Sequence, residues 1–431
     1  MKTQRFVIVI SIVLICTLPI SVFALDEAEA TVTIEQVKDQ PATNEMETTL
    51  VWQPGFVANR VYQAAGPVYA IAGGEFDLGH DGMEIACLTS DGSMLQLSPN
   101  FLVWEASIRY EGRVPVEAIS TRPTIGIGDI HSGYPGGEVV IFNRHPSVVT
   151  VVFHDPNAGW SHEVLADNSE MTGNGWGARV GDYDPYRPGD EVFYIYESAM
   201  DSSIGMLFSE VAGTWEKKGI YGWESWMEVG MDSAAGDFNW EHTGPEIVIT
   251  TEMGPTYEIV APVDVNEGDW PIRTVWDNPV NAGWVTKIAD VDPWSPGDEI
   301  VYGTRFNNRI MISRQNKDGV HDLQILLIGN ATEHPRNMWD IAIGDVLLQS
   351  PGLEILGVDS TGSVYLLQRI GETWQGQVIW QDTRPLYAVT VGDFLPHLSG
   401  DEILVAGRSG TITLLKPTFR GSLIGNVKPG L

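Results

Sequence analysis

The stretch GDYDPYRPGDEV, residues 181–192, decides the fold of this chain, because its pattern of acids and glycines occurs seven times. In every copy an acidic residue is followed nine positions later by a glutamate, a glycine lies two positions before that glutamate, and isoleucine or valine comes directly after it. The seven pairs are Glu75/Glu84, Asp129/Glu138, Asp182/Glu191, Asp237/Glu246, Asp290/Glu299, Asp345/Glu354 and Asp393/Glu402. Their first members lie 48 to 55 residues apart, and a repeat of this length is typical of propellers and solenoids.

Each repeat contains four short segments with the patterns of β-strands. In the sixth repeat, residues 339–344 alternate with a period of two and a polar loop follows. Residues 354–358, 363–367 and 374–380 are further strand segments separated by turn residues. No segment has a sustained period of 3.6 residues, so helices are not expected. The sequence therefore predicts an all-β protein, a seven-bladed β-propeller of four-stranded blades.

The seventh repeat supplies only three strand segments, the last of which ends at Leu415. Residues 56–62 stand just before the first blade at the spacing of a fourth strand, so we predict that an N-terminal strand closes the ring and pairs both sheet edges of that blade. The competing closure uses residues 416–431, which contain several glycines and prolines. The predicted propeller spans residues 47–415, and residues 416–431 are a C-terminal tail.

The N-terminus has the pattern of a secretory signal peptide over residues 1–24. Lys2 and Arg5 precede an apolar run that is too short for a comfortable membrane span, and Ala24 ends a small-residue cleavage pattern. Residues 25–46 are acidic and without periodicity, which indicates a flexible leader. We therefore expect a secreted protein, extracellular or periplasmic, that does not span a membrane.

The charge of the chain excludes several classes of partner. With 57 acidic and 25 basic residues, the net charge is -32, so nucleic acids and anionic membranes are poor partners. Because 43% of residues are hydrophobic and only 19% are charged, the composition indicates a globular protein with an acidic surface.

A second series of residues recurs in phase with the acid pairs. A tryptophan opens the last strand of five blades, and the fifth blade lacks its copy near Val320. A side chain of this size between stacked sheets buries a large apolar area, so we predict that these residues pack the blades together. They are Trp104, Trp160, Trp215, Trp270 and Trp374.

The loops at residues 181–192 and 289–300 resemble the FG-GAP and VCBS-type repeats of integrin-like propellers, and the resemblance covers residues 69–415. It implies loops that often bind calcium, and a role in extracellular adhesion, carbohydrate binding or, less often, polysaccharide cleavage. The chain departs from the family pattern because the loop acids are nine residues apart instead of eight, and because Leu347 and Leu395 occupy the third loop position in two repeats.

Two roles for the loop acids stay open. Calcium takes six to eight oxygen ligands, and carboxylates that converge within a loop would supply them. Alternatively, each carboxylate caps backbone N–H groups of its own turn, a role that must operate without metal where the third position is leucine. The candidate calcium ligands, in the third and fifth blades, are Asp182, Asp184, Asp190, Glu191, Asp290, Asp292, Asp298 and Glu299.

A candidate ligand site lies at the starts of the innermost strands. Six positions before the first acid, five of the seven repeats carry an aromatic residue, and these side chains are expected to cluster at the mouth of the central channel opposite the acid loops. They either cap the blade cores or form a platform for a sugar ring. Arginines of the neighbouring loops would suit an anionic ligand such as a uronic-acid or sulfated polysaccharide, unless they are solvated or paired with neighbouring acids. The candidates are Tyr69, Trp176, Trp284, Trp339, Tyr387, Arg144, Arg305, Arg309 and Arg408.

The sequence contains none of the common catalytic motifs. The favoured hypothesis is a secreted, non-enzymatic propeller that binds an extracellular carbohydrate or protein and that calcium stabilises, with no other cofactor. One alternative is a lyase or hydrolase acting on an acidic polysaccharide, and another is a structural scaffold at the cell surface. A binder needs a broad aromatic surface and an enzyme needs convergent His, Lys, Tyr and Arg, whereas a scaffold needs neither.

Overall fold

The structure is a computed structural model that describes residues 55–417 with gaps. The gaps are residues 78, 81, 101–102, 113–122, 132, 144–146, 168–174, 185–186, 198–202, 212, 224–229, 243, 252–255, 261–269, 277–282, 306, 330–337, 348–349 and 351. The predicted signal peptide, the predicted leader and all but the first two residues of the predicted tail lie outside the described residues.

The described residues form seven four-stranded antiparallel sheets, which are the blades of a propeller. Blade 1 contains β2 (Val68–Gly74), β3 (Glu84–Thr89), β4 (Met94–Asn100) and β5 (Val103–Tyr110). Blade 2 contains β6 (Thr124–Gly128), β7 (Glu138–Asn143), β8 (Val148–Asp155) and β9 (Gly159–Asp167). Blade 3 contains β10 (Gly175–Gly181), β11 (Glu191–Glu197), β12 (Ser203–Val211) and β13 (Thr214–Trp223). Blade 4 contains β14 (Gly230–Gly236), β15 (Glu246–Thr251), β16 (Thr256–Val260) and β17 (Ile272–Trp276).

The remaining three blades follow the same order. Blade 5 contains β18 (Gly283–Ala289), β19 (Glu299–Thr304), β20 (Arg309–Gln315) and β21 (His321–Ile328). Blade 6 contains β22 (Met338–Gly344), β23 (Glu354–Asp359), β24 (Ser363–Ile370) and β25 (Thr373–Gln381). Blade 7 contains β26 (Leu386–Gly392), β27 (Glu402–Gly407), β28 (Thr411–Pro417) and β1 (Phe56–Gln63).

The innermost strands make the ring. The first strand of each blade contacts the first strand of the next, and β26 of blade 7 contacts β2 of blade 1, so the circle is complete. The described residues include no helix long and apolar enough to span a membrane. The predicted all-β, seven-bladed architecture is therefore confirmed.

The N-terminal strand closes the ring as predicted. β1 is the outermost strand of blade 7 and pairs antiparallel with β28, from Phe56 opposite Pro417 to Gln63 opposite Thr411. β28 continues two residues beyond the predicted end of the propeller, Leu415. With this pairing, the edge of β28 is covered by the chain's own N-terminal segment.

Seven apolar clusters fill the spaces between adjacent blades. One of them joins Phe142 and Val151 of blade 2 to Val192 and Tyr194 of blade 3. Equivalent clusters join the other neighbours, including blade 7 with blade 1. Most of the apolar area that stabilises the fold thus lies between blades, so each blade depends on its neighbours.

The predicted packing role of the tryptophan series is confirmed. Each of the five packs in or against a different inter-blade cluster, and they are Trp104, Trp160, Trp215, Trp270 and Trp374. In blade 5, His321 opens the last strand, and its ring contacts Phe238 of blade 4 edge-on at 5.9 Å between ring centroids. Trp160 contacts Phe76 of blade 1 in the same way at 6.1 Å. His321 therefore takes the place of the missing tryptophan.

Candidate ligand-binding site

The second acid of every loop is buried and holds the loop in shape. In blade 3, Glu191 Oε2 accepts hydrogen bonds from the backbone N–H groups of Tyr183, at 2.9 Å, and Asp184, at 2.8 Å. The equivalent acids accept a hydrogen bond from the same part of their own loops, and they are Glu84, Glu138, Glu246, Glu299, Glu354 and Glu402. This is the turn-capping role that the sequence left open, and it operates in all seven blades.

The glycine two positions before this glutamate has a left-handed backbone conformation in every blade. Its φ lies between 83° and 102°, a region in which a residue with a Cβ would be strained. The seven residues are Gly82, Gly136, Gly189, Gly244, Gly297, Gly352 and Gly400. The glycine and the glutamate of the repeat are therefore two parts of one turn.

Burial raises the pKa of the capping glutamates, although the hydrogen bonds from the loop N–H groups oppose this rise. The pKa is raised to about 8 in Glu191 and Glu246. It is raised to about 7 in four others, which are Glu138, Glu299, Glu354 and Glu402. These carboxyl groups are consequently easier to protonate near neutral pH than ordinary surface carboxylates.

The first acid of every loop is exposed, and in three loops both its backbone N–H and its backbone carbonyl are bonded to the next blade. The Asp129 N–H donates to Asp190 Oδ2 at 3.0 Å, and the Asp190 N–H donates to the Asp129 carbonyl at 2.8 Å. The same two bonds join Asp237 to Asp298 and Asp345 to Asp401. Two predicted calcium ligands, Asp190 and Asp298, thus connect blades through one carboxylate oxygen.

The acids at the third loop position are buried in ion pairs. Asp292 Oδ2 lies 2.7 Å from an Arg314 nitrogen and 2.6 Å from an Arg369 nitrogen, so one carboxylate faces two guanidinium groups. In blade 3, Asp184 pairs with Arg187 at 3.2 Å. Because these charges are matched by arginines of the protein, the acids have counterions without a metal.

These contacts test whether a calcium ion fits the eight predicted ligands. Asp182 and Asp290 are exposed, whereas the other six engage an oxygen in a cap, a tie between blades or an ion pair. Among the described residues, no group of three or more His, Cys, Asp and Glu is placed to hold a metal ion. The arrangement does not offer six to eight converging oxygens and does not fit calcium. Calcium binding stays a prediction, and an experiment that tests it is given below.

The predicted aromatic residues do meet at one mouth of the channel. The cluster, called here the aromatic floor, consists of Tyr69, Trp176, Met231, Trp284, Trp339 and Tyr387. Each is the extra residue of a β-bulge, because the register between the first two strands of its blade shifts at that position. A bulge turns a side chain out of the regular alternation, which explains why these side chains pack with one another across the blades.

The rings of the aromatic floor cover one another. Tyr69 and Tyr387 are stacked at 5.4 Å between centroids, Trp339 meets Tyr387 edge-on at 5.3 Å, and Trp284 meets Trp339 edge-on at 5.9 Å. Trp284 is only 2% exposed and Tyr387 only 9% exposed, while Trp176 is partly buried against them. The cluster is thus a packed floor, and it lacks the open flat faces that a sugar platform requires.

Two of the four candidate arginines are placed beside this floor. The guanidinium carbon of Arg305 lies 4.6 Å from the centroid of the Trp284 ring, and burial lowers the pKa of Arg305. Burial raises the pKa of Tyr69, and the positive charge of nearby Arg408 opposes that rise. The Arg309 N–H donates to Thr304 Oγ1 at the start of β20. Arg144 lies outside the described residues.

The central channel contains charged side chains that the sequence analysis missed. Arg179 donates two hydrogen bonds to Asp232, at 2.7 and 3.0 Å, and Asp232 also accepts the Thr286 N–H at 2.9 Å. Arg179 also lines a cavity of about 410 Å³ along the inner strands of blades 3, 4 and 5. The available signal was an arginine and an aspartate inside strands whose other residues are apolar or small.

Comparisons with known proteins show the fold. No protein-family model and no curated protein sequence matches the chain. The chain is similar to BBS1N in a crystal structure in complex with ARL6DN, soaked with lead, at a TM-score of 0.55 and 12% identity over 86% of this chain and 99% of that chain. The same complex soaked with mercury gives a TM-score of 0.53 and 11% identity over the same shares. Similarity at this level of identity shows a shared propeller fold and nothing about ligands.

Proposed function

We propose that the protein is a secreted, non-enzymatic β-propeller that binds an extracellular ligand at the mouth of its channel. The observation that carries the proposal is the pair of arginines beside the aromatic floor, with Arg305 over the ring of Trp284 and Arg408 near Tyr69. A scaffold has no need of cations gathered at one mouth of a strongly acidic chain, whereas a binding site for an anion does.

An anionic polysaccharide is the ligand that this mouth favours. The chain carries a net charge of -32, so most of its surface repels anions. Arg305 and Arg408 make the mouth an exception, and the burial that lowers the pKa of Arg305 also strengthens its interaction with a carboxylate or sulfate. A protein ligand is the second candidate, favoured by BBS1N, a similar propeller solved in complex with ARL6DN.

The tyrosines of the aromatic floor support binding over catalysis. A lyase needs a base that takes a proton near neutral pH, and burial raises the pKa of both Tyr69 and Tyr387. A base with a raised pKa is ionised less often, so these residues are poorly suited to that step. The proposed relation to FG-GAP and VCBS-type propellers, many of which bind extracellular ligands, rests on the loops at residues 181–192 and 289–300.

The test removes charge from the mouth without disturbing the packed rings. Trp284→Ala is unsuitable, because truncating a buried tryptophan costs about 3–5 kcal/mol of stability. Arg408 is exposed, so Arg408→Gln is expected to fold normally and to weaken binding of polygalacturonate or heparin about tenfold in isothermal titration calorimetry.

The control for this experiment is Lys217→Gln on β13, the outermost strand of blade 3, which removes the same charge far from the mouth. It is expected to bind like the wild type. Equal affinities for the wild type and Arg408→Gln, or no binding of either polymer by the wild type, would contradict an anionic ligand at the mouth.

A further inference from the structure

We propose that a groove on the acid-loop face, between blades 4 and 5, is a saccharide-binding site separate from the channel mouth. The groove has a volume of about 460 Å³ and is lined by Trp240, Trp294 and the side chains of residues 314–317. This volume lies in the range of small-ligand sites. The acid loops follow the far ends of the inner strands, so the groove and the aromatic floor are on opposite faces of the ring.

Two exposed indoles at one groove are the first observation that points to a ligand. Trp294 is 74% exposed and Trp240 is 47% exposed, and no other tryptophan whose side-chain burial the structure describes is exposed to this extent. Both lie outside the tryptophan series that packs the blades, because they occupy the tips of acid loops. Large apolar side chains held in water at one place mark interaction sites.

A buried polar network fixes the backbone at Trp240. The Trp240 N–H donates to Gln315 Oε1 at 3.1 Å, and Gln315 Nε2 donates to Asn239 Oδ1 at 3.0 Å. Gln315 belongs to β20 of blade 5, while Asn239 belongs to the acid loop of blade 4, so the network spans the junction. Because Asn239 and Gln315 are buried, the loop that carries Trp240 is held in place before any ligand arrives.

A second network fixes the backbone at Trp294. The Trp294 N–H donates to Asp292 Oδ1 at 3.2 Å, and the other oxygen of Asp292 is held by Arg314 and Arg369. Asp292 is fully buried, and its partners come from blades 5 and 6. Buried side chains therefore hold the backbone at both tryptophans, so binding does not require these loops to become ordered.

The chemistry of the groove favours a saccharide over a protein partner. A pyranose ring offers an apolar C–H face that stacks on an indole and a rim of hydroxyls that needs polar partners. The groove pairs its two indoles with polar residues, among them Ser295 and Asn316, and with the exposed amine of Lys317. A stable protein interface needs about 800 Å² on each partner, which a groove of this size does not supply.

Lys317 points to an acidic sugar as the preferred ligand. The charge of Arg314 is matched by Asp292 at 2.7 Å, whereas Lys317 lies at the exposed tip of the β20–β21 turn. The ammonium group of Lys317 at the rim of the groove can pair with the carboxylate of a uronate, a group that a neutral sugar lacks.

The experiment measures binding of galacturonate oligomers and glucose oligomers to the full mature chain by isothermal titration calorimetry. Because the Trp294 side chain is exposed, Trp294→Ala is expected to keep the melting temperature of the wild type and to weaken saccharide binding about tenfold or more. Trp240→Ala is expected to act in the same direction. Leu398→Ala is the matched control, because Leu398 is an exposed apolar residue, 39% exposed, in the acid loop of blade 7.

The outcomes separate the possibilities. Loss of binding in Trp294→Ala with normal binding in Leu398→Ala supports the site, and a further loss in Lys317→Gln for galacturonate but not for glucose oligomers supports the acidic sugar. Wild-type affinity in both tryptophan variants overturns the proposal, as does failure of the wild type to bind either oligomer. Self-association that sedimentation detects in the wild type and not in Trp294→Ala, without saccharide binding, assigns the groove to a protein contact and also overturns it. None of these results depends on Arg408, so failure at the channel mouth is a separate outcome.

Discussion

At the scale of single residues, the capping glutamates are subject to two opposing effects. The loop N–H groups that donate to Glu191 favour its ionised form, while burial favours the neutral form and prevails, which raises the pKa to about 8. The same balance recurs around the ring. The buried glutamate that closes each turn therefore makes the stability of the protein depend on pH.

We predict that the free energy of unfolding falls as the pH rises from about 4.5 to about 8. Six of these glutamates have a pKa near 7 or 8 in the folded protein and an ordinary pKa of 4.5 in the unfolded chain, so the folded chain binds more protons in this interval. The stabilisation is complete below pH 4.5 and is lost as the pH rises through 7 to 8. Urea unfolding in EDTA should have its midpoint at higher urea at pH 5 than at pH 8.

Glu191→Gln and added calcium provide the controls for this prediction. Glutamine keeps an oxygen for the N–H groups of Tyr183 and Asp184 but does not titrate, so this variant should fold with a weaker dependence on pH. A stability that rises from pH 5 to pH 8 in EDTA would contradict the pKa direction. If millimolar Ca²⁺ raises the midpoint and Glu191→Gln removes that rise, calcium binds in blade 3; an unchanged midpoint leaves the loop acids as caps.

At the scale of elements, the ring depends on one long-range strand pairing. β1 and β28 are the only described strands that pair across a long distance in sequence, and β1 covers the edge of β28 along its whole length. The partly buried side chains of Val61 and Tyr62 pack against the cluster between blades 7 and 1. Both the hydrogen bonds and the apolar contacts of this strand are therefore needed to complete blade 7.

We predict that deletion of residues 47–63 abolishes cooperative thermal unfolding, because it removes β1 and leaves the edge of β28 unpaired. Circular dichroism and calorimetry of the truncated chain measure the loss. The control is deletion of residues 25–46, the predicted leader, which is expected to leave the melting curve unchanged. A chain without residues 47–63 that melts like the full-length protein would show that the closure is dispensable.

A second regularity joins the elements in pairs of blades. In blades 2, 4 and 6, the side chain five positions before the first loop acid forms a hydrogen bond with the inner strand of the next blade. These residues are Thr124, Asp232 and Asp340. The aspartate ties of the acid loops lie at the same three junctions. At the corresponding tie positions, blades 1, 4 and 6 carry Met83, Pro245 and Leu353, and blade 2 carries Gly137, whose N–H alone donates to the Glu75 carbonyl. Blades 2 and 3, 4 and 5, and 6 and 7 are thus linked at both ends of their inner strands.

At the scale of the whole molecule, this pairing gives the seven-bladed ring a period of two blades, with blade 1 left over. Blade 1 lies next to blade 7, the blade that the N-terminal strand completes. The other junctions are joined by different contacts, because Arg179 pairs with Asp232 between blades 3 and 4, and Arg369 pairs with Asp292 between blades 5 and 6. Stability in repeat architectures is a sum of units and their interfaces, so both kinds of contact contribute to the closed ring.

The proposed secretion is also a property of the whole chain, and its prediction concerns processing. We expect the mature protein to begin at Leu25, because Ala24 ends the cleavage pattern of the signal peptide. N-terminal sequencing of the protein recovered from the periplasm or the medium measures this. Recovery of the intact chain with Met1 from the cytoplasm alone would contradict secretion.

The fold could be predicted from the sequence because its determinants are local and repeated. Gly189 and Glu191 specify a turn within one loop, and seven copies of that turn fix the number of blades. The sequence left open whether Trp284 and Trp339 are buried, because the bulge that turns them inward depends on the register with a second strand. The exposure of Trp294 could not be predicted, because side chains of two blades build its support. Its signal was a tryptophan in a polar loop, outside the packing series.

The pairing of β1 with β28 has a consequence for the order of events during synthesis. Six blades are built from consecutive strands, so the strands of each are all present once its last strand has been made. Blade 7 joins the first described strand to the last, and its formation has to wait until nearly the whole chain has been made. A polypeptide that terminates before β28 therefore lacks a complete blade 7 wherever it stops, and its β1 has no strand to pair with. The closing strand makes completion of the ring depend on completion of the chain.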